Sequence, residues 1–216
     1  MFRYESEMIP VLVDSLSKFY NTKYITTEFG TGNGVADLVF TTEMSEENLF
    51  LNDYGQMALF INLFDQNKTI TTDYLEEKQY DKTRLKRLLK QLEFEDYICI
   101  KDLKIRRNRK YKGHTQNLIS VEAKLQDWKS GFYQALRYKF FSHKSYLAYP
   151  KQNIHRVDID LLREHNIGLI SVDVETIEFV FKPKVEKPLD KVSYFFLSEM
   201  FAQQFKKTGS KVEVNC

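Results

Sequence analysis

Apolar residues recur at helical spacing at Met8, Ile9, Leu12, Leu16 and Phe19, which predicts a helix from about Ser6 to Tyr20. Pro10 has no N–H and is tolerated only near a first turn, so the start can slip a residue or two later. Two extended stretches follow, Tyr24 to Phe29 and Val35 to Thr42, joined by the glycine-rich segment Gly30 to Gly34. That segment reads as a tight turn. It is not a phosphate-binding loop, because no Gly-Lys-Ser/Thr follows and a strand, not a helix, comes next.

From about Glu46 to Gly113 the texture changes to three helices and a hairpin. Gln56 to Gln66 is apolar-periodic through Met57, Leu59, Phe60, Leu63 and Phe64. Thr72 to Lys78 is short, and Asp81 to Leu92 puts Leu85, Leu88, Leu89 and Leu92 on one face. A strand at Tyr97 to Ile100 and the basic stretch Ile105 to Lys112 complete the hairpin. Three helices, the third basic, then a hairpin with a basic tip, is the order of a winged helix-turn-helix.

Beyond it, strands and helices alternate. Leu118 to Leu125 is a strand, Trp128 to Phe141 a helix, Ser145 to Tyr149 a strand, Asp158 to Glu164 a helix and Ile167 to Val174 a buried strand. Ile177 to Phe181 is hairpin-like, and an amphipathic helix runs from about Lys191 to Lys206. Its stripe Val192, Phe195, Phe196, Met200 and Phe205 is core or a dimer surface. The expected fold class is α/β with a partly parallel sheet.

Net charge is only +2, but its distribution is uneven. Residues 1–80 carry 5 Lys or Arg against 13 Asp or Glu, a balance of −8; residues 81–112 carry 12 against 5, or +7. The remaining +3 lies in 113–216. A concentrated positive field in a near-neutral chain suits a surface that meets phosphates. No apolar run approaches the roughly 18 residues of a membrane span. The N-terminus lacks the layout of a signal peptide, and Cys99 and Cys216 cannot build a disulfide framework. A soluble, cytoplasmic protein is expected. His114, His143, His155 and His165 have no ligand spacing and are not read as zinc ligands.

The chemistry concentrates elsewhere. Glu122 and Lys124 stand two apart on a strand and leave it on the same face, while Val121, Ala123 and Leu125 point the other way. Alone, such a pair is an ordinary ion pair. Metal-assisted hydrolysis requires a second acid, and Asp37 supplies one, inside the apolar strand after the glycine turn. Asp is disfavoured in strands and is seldom buried without a partner.

These residues resemble the PD-(D/E)xK nuclease superfamily, which includes restriction enzymes, Holliday-junction resolvases and RecB-type nucleases. The resemblance covers the first helix with its Glu7, the Asp37 strand, the Glu122-Ala-Lys124 strand and the helix after it. Ten residues past Lys124, Gln134 and Tyr138 are similar to the Gln-x-x-x-Tyr motif of the RecB-type branch. Asp127, Gly131, Gln134 and Tyr138 form one polar stripe at helical spacing. Two departures stand out. Ala36 occupies the position of the motif's Pro, and Asp37 and Glu122 are 85 positions apart. The second departure is accounted for if residues 45–115 form an inserted module.

The resemblance implies a restriction endonuclease-like core, discontinuous over 1–44 and 116–216, split by a winged-helix-like module at 45–115. It implies Mg²⁺ or Mn²⁺ held by Asp37, Glu122 and the Ala123 carbonyl. Glu7, which matches the helix carboxylate of the family better than Glu5 although the register between the two is open, would assist through water, Lys124 would position the attacking water, and Gln134 and Tyr138 would support the site. The expected activity is phosphodiester hydrolysis of DNA, as an endonuclease. Lys82, Arg84, Lys86, Arg87 and Lys90 on the third helix, with Arg106, Arg107, Arg109, Lys110 and Lys112 on the wing, would contact DNA. A homodimer or larger nuclease assembly is compatible with this. The alternative is a non-catalytic DNA-binding regulator or assembly factor that retains the fold.

Overall fold

The computed structural model describes residues 2–65 and 67–207. Elements follow in chain order: α1 (Met8–Tyr20), β1 (Ile25–Gly30), β2 (Val35–Phe40), α2 (Tyr54–Phe64), β3 (Thr69–Thr71), α3 (Thr72–Glu77) and α4 (Lys82–Phe94). Next are β4 (Ile98–Lys101), β5 (Lys104–Arg107), β6 (Ile119–Ala123), α5 (Trp128–Tyr138), β7 (Lys144–Pro150), α6 (Ile159–Glu164), β8 (Gly168–Val172), β9 (Ile177–Phe181) and α7 (Lys191–Lys207). The chain divides into two compact units. The first comprises residues 1–44 and 115–190, the second 45–114 and the α7 segment. Helix α7, expected with the first unit, therefore belongs to the second. Cys216 and Gln66, the expected end of the second helix, lie outside the described residues.

The first unit is a mixed six-stranded sheet in the order β1-β2-β6-β7-β8-β9. Its central strands β6, β7 and β8 are parallel; the pairs β1–β2, β2–β6 and β8–β9 are antiparallel. The parallel strands are buried along their whole length except at Lys144, the first residue of β7, as strands covered on both faces must be. One face packs against α1, whose Met8, Leu12 and Leu16 meet Leu38, Val121, Ala123, Ala148 and Ile170. On the other, Phe132 and Ala135 of α5 and Leu162 of α6 meet Leu147, Tyr149 and Leu169. Alternation assigns each side chain of the central strands to one helix layer or the other, while the edge strands β1 and β9 stay partly exposed.

Helix α1 begins at Met8, after a 3-10 turn at Glu5–Glu7, so Pro10 falls in the first turn, where its missing N–H costs nothing. The β1–β2 turn closes through the Thr31 N–H donating to the Gly34 carbonyl at 2.9 Å, with Gly32 at φ +80° and Gly34 at +135°.

The second unit contains helices α2, α3, α4 and α7 and a small antiparallel sheet ordered β3-β5-β4. Asp53, Thr71 and Asp81 cap α2, α3 and α4 by accepting a backbone N–H of the first turn. On α7 the buried face is wider than the expected stripe. Tyr194, Phe195, Leu197, Phe201 and Ala202 are buried, while Met200 is 37% exposed. That face also buries Glu199, which accepts the N–H groups of Leu51 and Asn52 at 3.0 and 3.1 Å and the Tyr111 hydroxyl at 3.2 Å. A carboxylate in such a place breaks the apolar pattern by which a helix face is read from sequence.

Candidate active site

Strands β2 and β6 pair from Phe40–Ile119 to Leu38–Val121, and the ladder stops there. The next positions along it are Asp37 and Glu122. Leu38 and Val121 point into the α1 layer, so Asp37 and Glu122 leave the sheet on the α5 side. Where the ladder ends, the Ala123 N–H donates to Asp37 Oδ2 at 2.7 Å. Asp37 thus substitutes for a main-chain acceptor and fixes the end of β6. The contact recorded for Ala123 uses its N–H; its carbonyl was the expected metal ligand.

Glu122 is 1% exposed. Its Oε1 lies 2.9 Å from Lys124 Nζ, and its Oε2 accepts the Tyr138 hydroxyl at 2.7 Å. Tyr138 comes from the last turn of α5 and also lies 2.7 Å from the Val35 carbonyl oxygen. Gly131 lets α5 approach this closely. A Cβ there would lie 2.6 Å from both Leu147 Cδ1 and Lys124 Cγ. Gly131 and Tyr138 therefore sit on the buried face of α5 with Phe132 and Ala135, not on a separate polar stripe. Asp127 caps the helix by accepting the Ser130 N–H. Gln134 accepts from the Ser130 hydroxyl at 3.4 Å, and no contact with Asp37, Glu122 or Lys124 is recorded for it.

The acid next to Lys124 is Glu5 rather than Glu7. Glu5 Oε2 lies 3.6 Å from Lys124 Nζ, and Glu5 Oε1 accepts the Leu125 N–H at 3.1 Å. Glu7 turns back to accept the Arg3 N–H at 2.7 Å. Both residues lie in the 3-10 turn that precedes α1, ahead of the regular helical register. A further acid, Glu28 of β1, went unread in the sequence. It stands in the left-handed region at φ +51°, where non-glycine residues are strained, and its charge acts on Asp37.

Burial pushes the Asp37 carboxyl above the usual carboxylate range; the Ala123 N–H and Lys124 only partly offset it, and Glu5 and Glu28 add to it. Burial likewise raises Glu122. The Lys124 and Tyr138 hydrogen bonds work against that rise, whereas the charge of Asp37 adds to it. For Lys124, burial favours the neutral amine, but the hydrogen bond and charge of Glu122, with Glu5 and Asp37, outweigh burial and leave its pKa raised. The site is thus two desolvated carboxylates whose mutual repulsion a cation would relieve.

Among the described residues, no group of three or more His, Cys, Asp or Glu side chains is placed to hold a metal. A magnesium-like ion needs fewer. It commonly takes one or two carboxylates and completes its shell with water and substrate phosphate. The hard oxygen donors of Asp37 and Glu122 fit that requirement.

In the second unit the ten cations expected to meet DNA divide into two groups. Arg84 packs on Gly55, so that a Cβ there would lie 2.5 Å from its Nη1. Arg107 donates to the Phe64 carbonyl, and Arg109 lies 3.8 Å over the Tyr97 ring and donates to the Glu95 carbonyl at 3.3 Å. These three are engaged within their own unit. Lys82, Lys86, Arg87, Lys90, Arg106, Lys110 and Lys112 are exposed.

No protein-family model matches the chain, and no curated protein does. One solved structure is similar, that of a protein of unknown function from Silicibacter pomeroyi. It has 17% identity and a TM-score of 0.32 over 42% of this chain, and the chain spans 59% of that protein's length. A likeness of that size carries no argument about fold or activity. No helix among the described residues is long and apolar enough to cross a membrane.

Proposed function

We propose that the chain is a metal-dependent deoxyribonuclease of the PD-(D/E)xK type, with a restriction endonuclease-like first unit and a winged-helix-like second unit that engages DNA. The observation that carries this reading is the meeting of Asp37, Glu122 and Lys124 at the end of the β2–β6 ladder. Asp37 and Glu122 are 85 positions apart in sequence, and a chance ion pair between Glu122 and Lys124 gives no reason for the second acid. Asp37 and Glu122 would hold Mg²⁺ or Mn²⁺, with the Ala123 carbonyl as a third donor. A divalent cation there supplies positive charge against the charge that develops on the scissile phosphate.

The chain's own residues do the rest. Lys124 brings an ammonium to the same edge, where it orients water and offsets phosphate charge. Glu5 steadies that ammonium, and Tyr138 holds the Glu122 carboxylate in one orientation. Asp37, bonded to the Ala123 N–H, fixes the strand end on which both Glu122 and Lys124 depend. The exposed cations of the hairpin suit a phosphate backbone.

The test is cleavage of supercoiled, linear and branched DNA with Mg²⁺, Mn²⁺ or chelator. Cleavage is expected only with metal, and Asp37→Ala and Lys124→Ala should each lower it on the order of 100-fold or more. Failure on every substrate, or variants that cut like the wild type, would reject the enzyme.

One observation favours a non-catalytic binder: both Glu122 oxygens already have partners, as in a purely structural ion pair. Thermal unfolding separates the two readings. If Mg²⁺ raises the Tm of the wild type but not of Asp37→Asn, the carboxylates bind metal. If it raises neither, the binder reading gains.

A further inference from the structure

The outward face of the β3-β5-β4 sheet carries charge that its own fold does not neutralise. Cross-strand register aligns Thr69, Arg106 and Cys99 in one row and Thr71, Lys104 and Lys101 in the next. The intervening row is Ile70, Ile105 and Ile100, of which Ile70 and Ile105 are buried. The cationic rows therefore face out, and Lys101, Lys104 and Arg106 are all exposed. Lys68, one residue before β3, is exposed beside them. Together with Arg107 they line an open groove of about 810 Å³.

Lys101 and Lys104 are direct cross-strand partners. Like charges placed opposite each other destabilise a strand pair, and a sheet tolerates them when something outside supplies the counter-charge. Among the described residues neither lysine, nor Lys68 nor Arg106, forms an ion pair. Asp102, in the turn between the strands, is the one acid lining the groove, against five cations.

Helix α4 presents a different surface. Its half-buried Leu85 and Leu89 line a groove with Leu75, Tyr80 and Ile100, and Glu76 and Glu93 stand among its lysines. An apolar trough with mixed charges suits a polyanion less well than the sheet face does.

We propose that the outward face of β3-β5-β4, through Lys68, Lys101, Lys104 and Arg106, binds the phosphate backbone of a nucleic acid, and that α4 contributes less. Two rows about 7 Å apart on a twisted sheet form an extended track, which suits a polymer of phosphates more than a single headgroup. The choice of polymer rests on the nuclease reading. The placement of the track rests on the sheet alone.

The test is fluorescence anisotropy of a labelled 20-base-pair duplex in chelator, over a range of salt, on the full chain. The triple variant Lys68→Gln, Lys101→Gln, Lys104→Gln should bind at least ~10-fold more weakly. Its log–log salt slope should flatten by about 2.7, roughly 0.9 per lost phosphate contact. The α4 variant Lys82→Gln, Lys86→Gln, Arg87→Gln should stay within about twofold of the wild type. These side chains are exposed, and circular dichroism verifies that both variants fold. Wild-type binding by the sheet variant, or a larger loss in the α4 variant, overturns the proposal. So does a sheet variant that loses only binding to vesicles containing phosphatidylserine. Because the assay needs no cleavage, the outcomes separate. Sheet-dependent binding without any nuclease activity refutes the enzyme and keeps this surface; cleavage without sheet-dependent binding does the reverse.

Discussion

The Tyr138 hydroxyl lies 2.7 Å from Glu122 Oε2 and 2.7 Å from the Val35 carbonyl oxygen, so a single phenol joins α5 to both strands of the candidate site. Burial pushes its pKa up, and the Glu122 hydrogen bond and charge push it further, which keeps the phenol a donor at any working pH. Tyr138→Phe removes that donor from a carboxylate that is 1% exposed. A loss of about 1–3 kcal/mol in unfolding free energy is expected. Urea titration measures it, and DNA cleavage should fall in parallel. An unchanged denaturation midpoint would mean the phenol holds nothing.

Glu5 and Glu7 separate cleanly. Glu5 is about half exposed, so its 3.6 Å ion pair with Lys124 adds little stability. Its charge is nevertheless one of the causes that raise the Lys124 pKa. Glu5→Gln should lower cleavage several-fold and move the alkaline limb of the pH–rate profile downward, with Tm nearly unchanged. Glu7→Gln should alter neither. If Glu7→Gln has the larger effect, the assignment is reversed.

The acid limb of the same profile reports the carboxylates. Asp37 and Glu122 must be ionised to hold a cation, and both have pKa values raised by burial. At sub-saturating metal, where proton and cation compete for the free carboxylates, cleavage should therefore begin to fall at a pH above the ordinary carboxylate range as the solution is acidified. Metal binding followed by calorimetry against pH gives an independent measure. A limb at or below pH 4 would contradict the raised values.

Gly131→Ala tests packing without touching an ionisable group. The added Cβ would meet Leu147 and the Lys124 stem at 2.6 Å. Overpacking of this kind costs about 1–3 kcal/mol. Cleavage should drop through displacement of Lys124, and a high-resolution structure of the variant should show its ammonium farther from Glu122.

The second unit has its own pH dependence. Burial pushes Glu199 up to about 7 and His114 down to about 4. For Glu199 the folded value exceeds the unfolded one, near 4.3, so its contribution is complete below that and is lost as pH rises through 7. For His114 the folded value lies below the unfolded one, near 6.5, so its contribution is complete above that and is lost as pH falls through 4. Between roughly pH 4.5 and 6.5 the two slopes oppose each other, and the wild-type profile should be nearly flat there. Glu199→Gln should leave stability rising with pH across that window, and His114→Gln should leave it falling. Thermal unfolding followed at several pH values would show both; two variants with the same slope would exclude this origin.

Much of the site was legible because each member disturbed a local pattern. Asp37 stood alone in an apolar strand, and Glu122 with Lys124 put two charges side by side on a strand whose flanking residues are apolar. The mixed sheet followed from alternating strand and helix patterns. Glu7 came from the resemblance, which leaves the register between it and Glu5 open, and both fall in a 3-10 turn ahead of the regular helix, where helical spacing gives no register. Gln134 was included because, with Tyr138, it resembles the Gln-x-x-x-Tyr motif, but helical spacing cannot reveal which polar residue faces the sheet. Arg84, Arg107 and Arg109 counted as free charge in the sequence, whereas folding engages them with Gly55, Phe64 and Tyr97. No local signal marks an arginine that will cap a carbonyl some forty residues away.

Assigning α7 to the second unit bears on the order in which the chain matures. The N–H groups of Leu51 and Asn52 find their acceptor in Glu199, about 150 residues later. Each unit is interrupted by a segment of the other, so neither can finish while only one stretch of chain has left the ribosome. Residues 45–114 must wait, with their acceptor unmade, until α7 has been synthesised. A nascent chain that has emerged only as far as residue 190 would present every strand of the first unit together with a second unit that lacks α7. Such a nascent chain is one for a chaperone to hold.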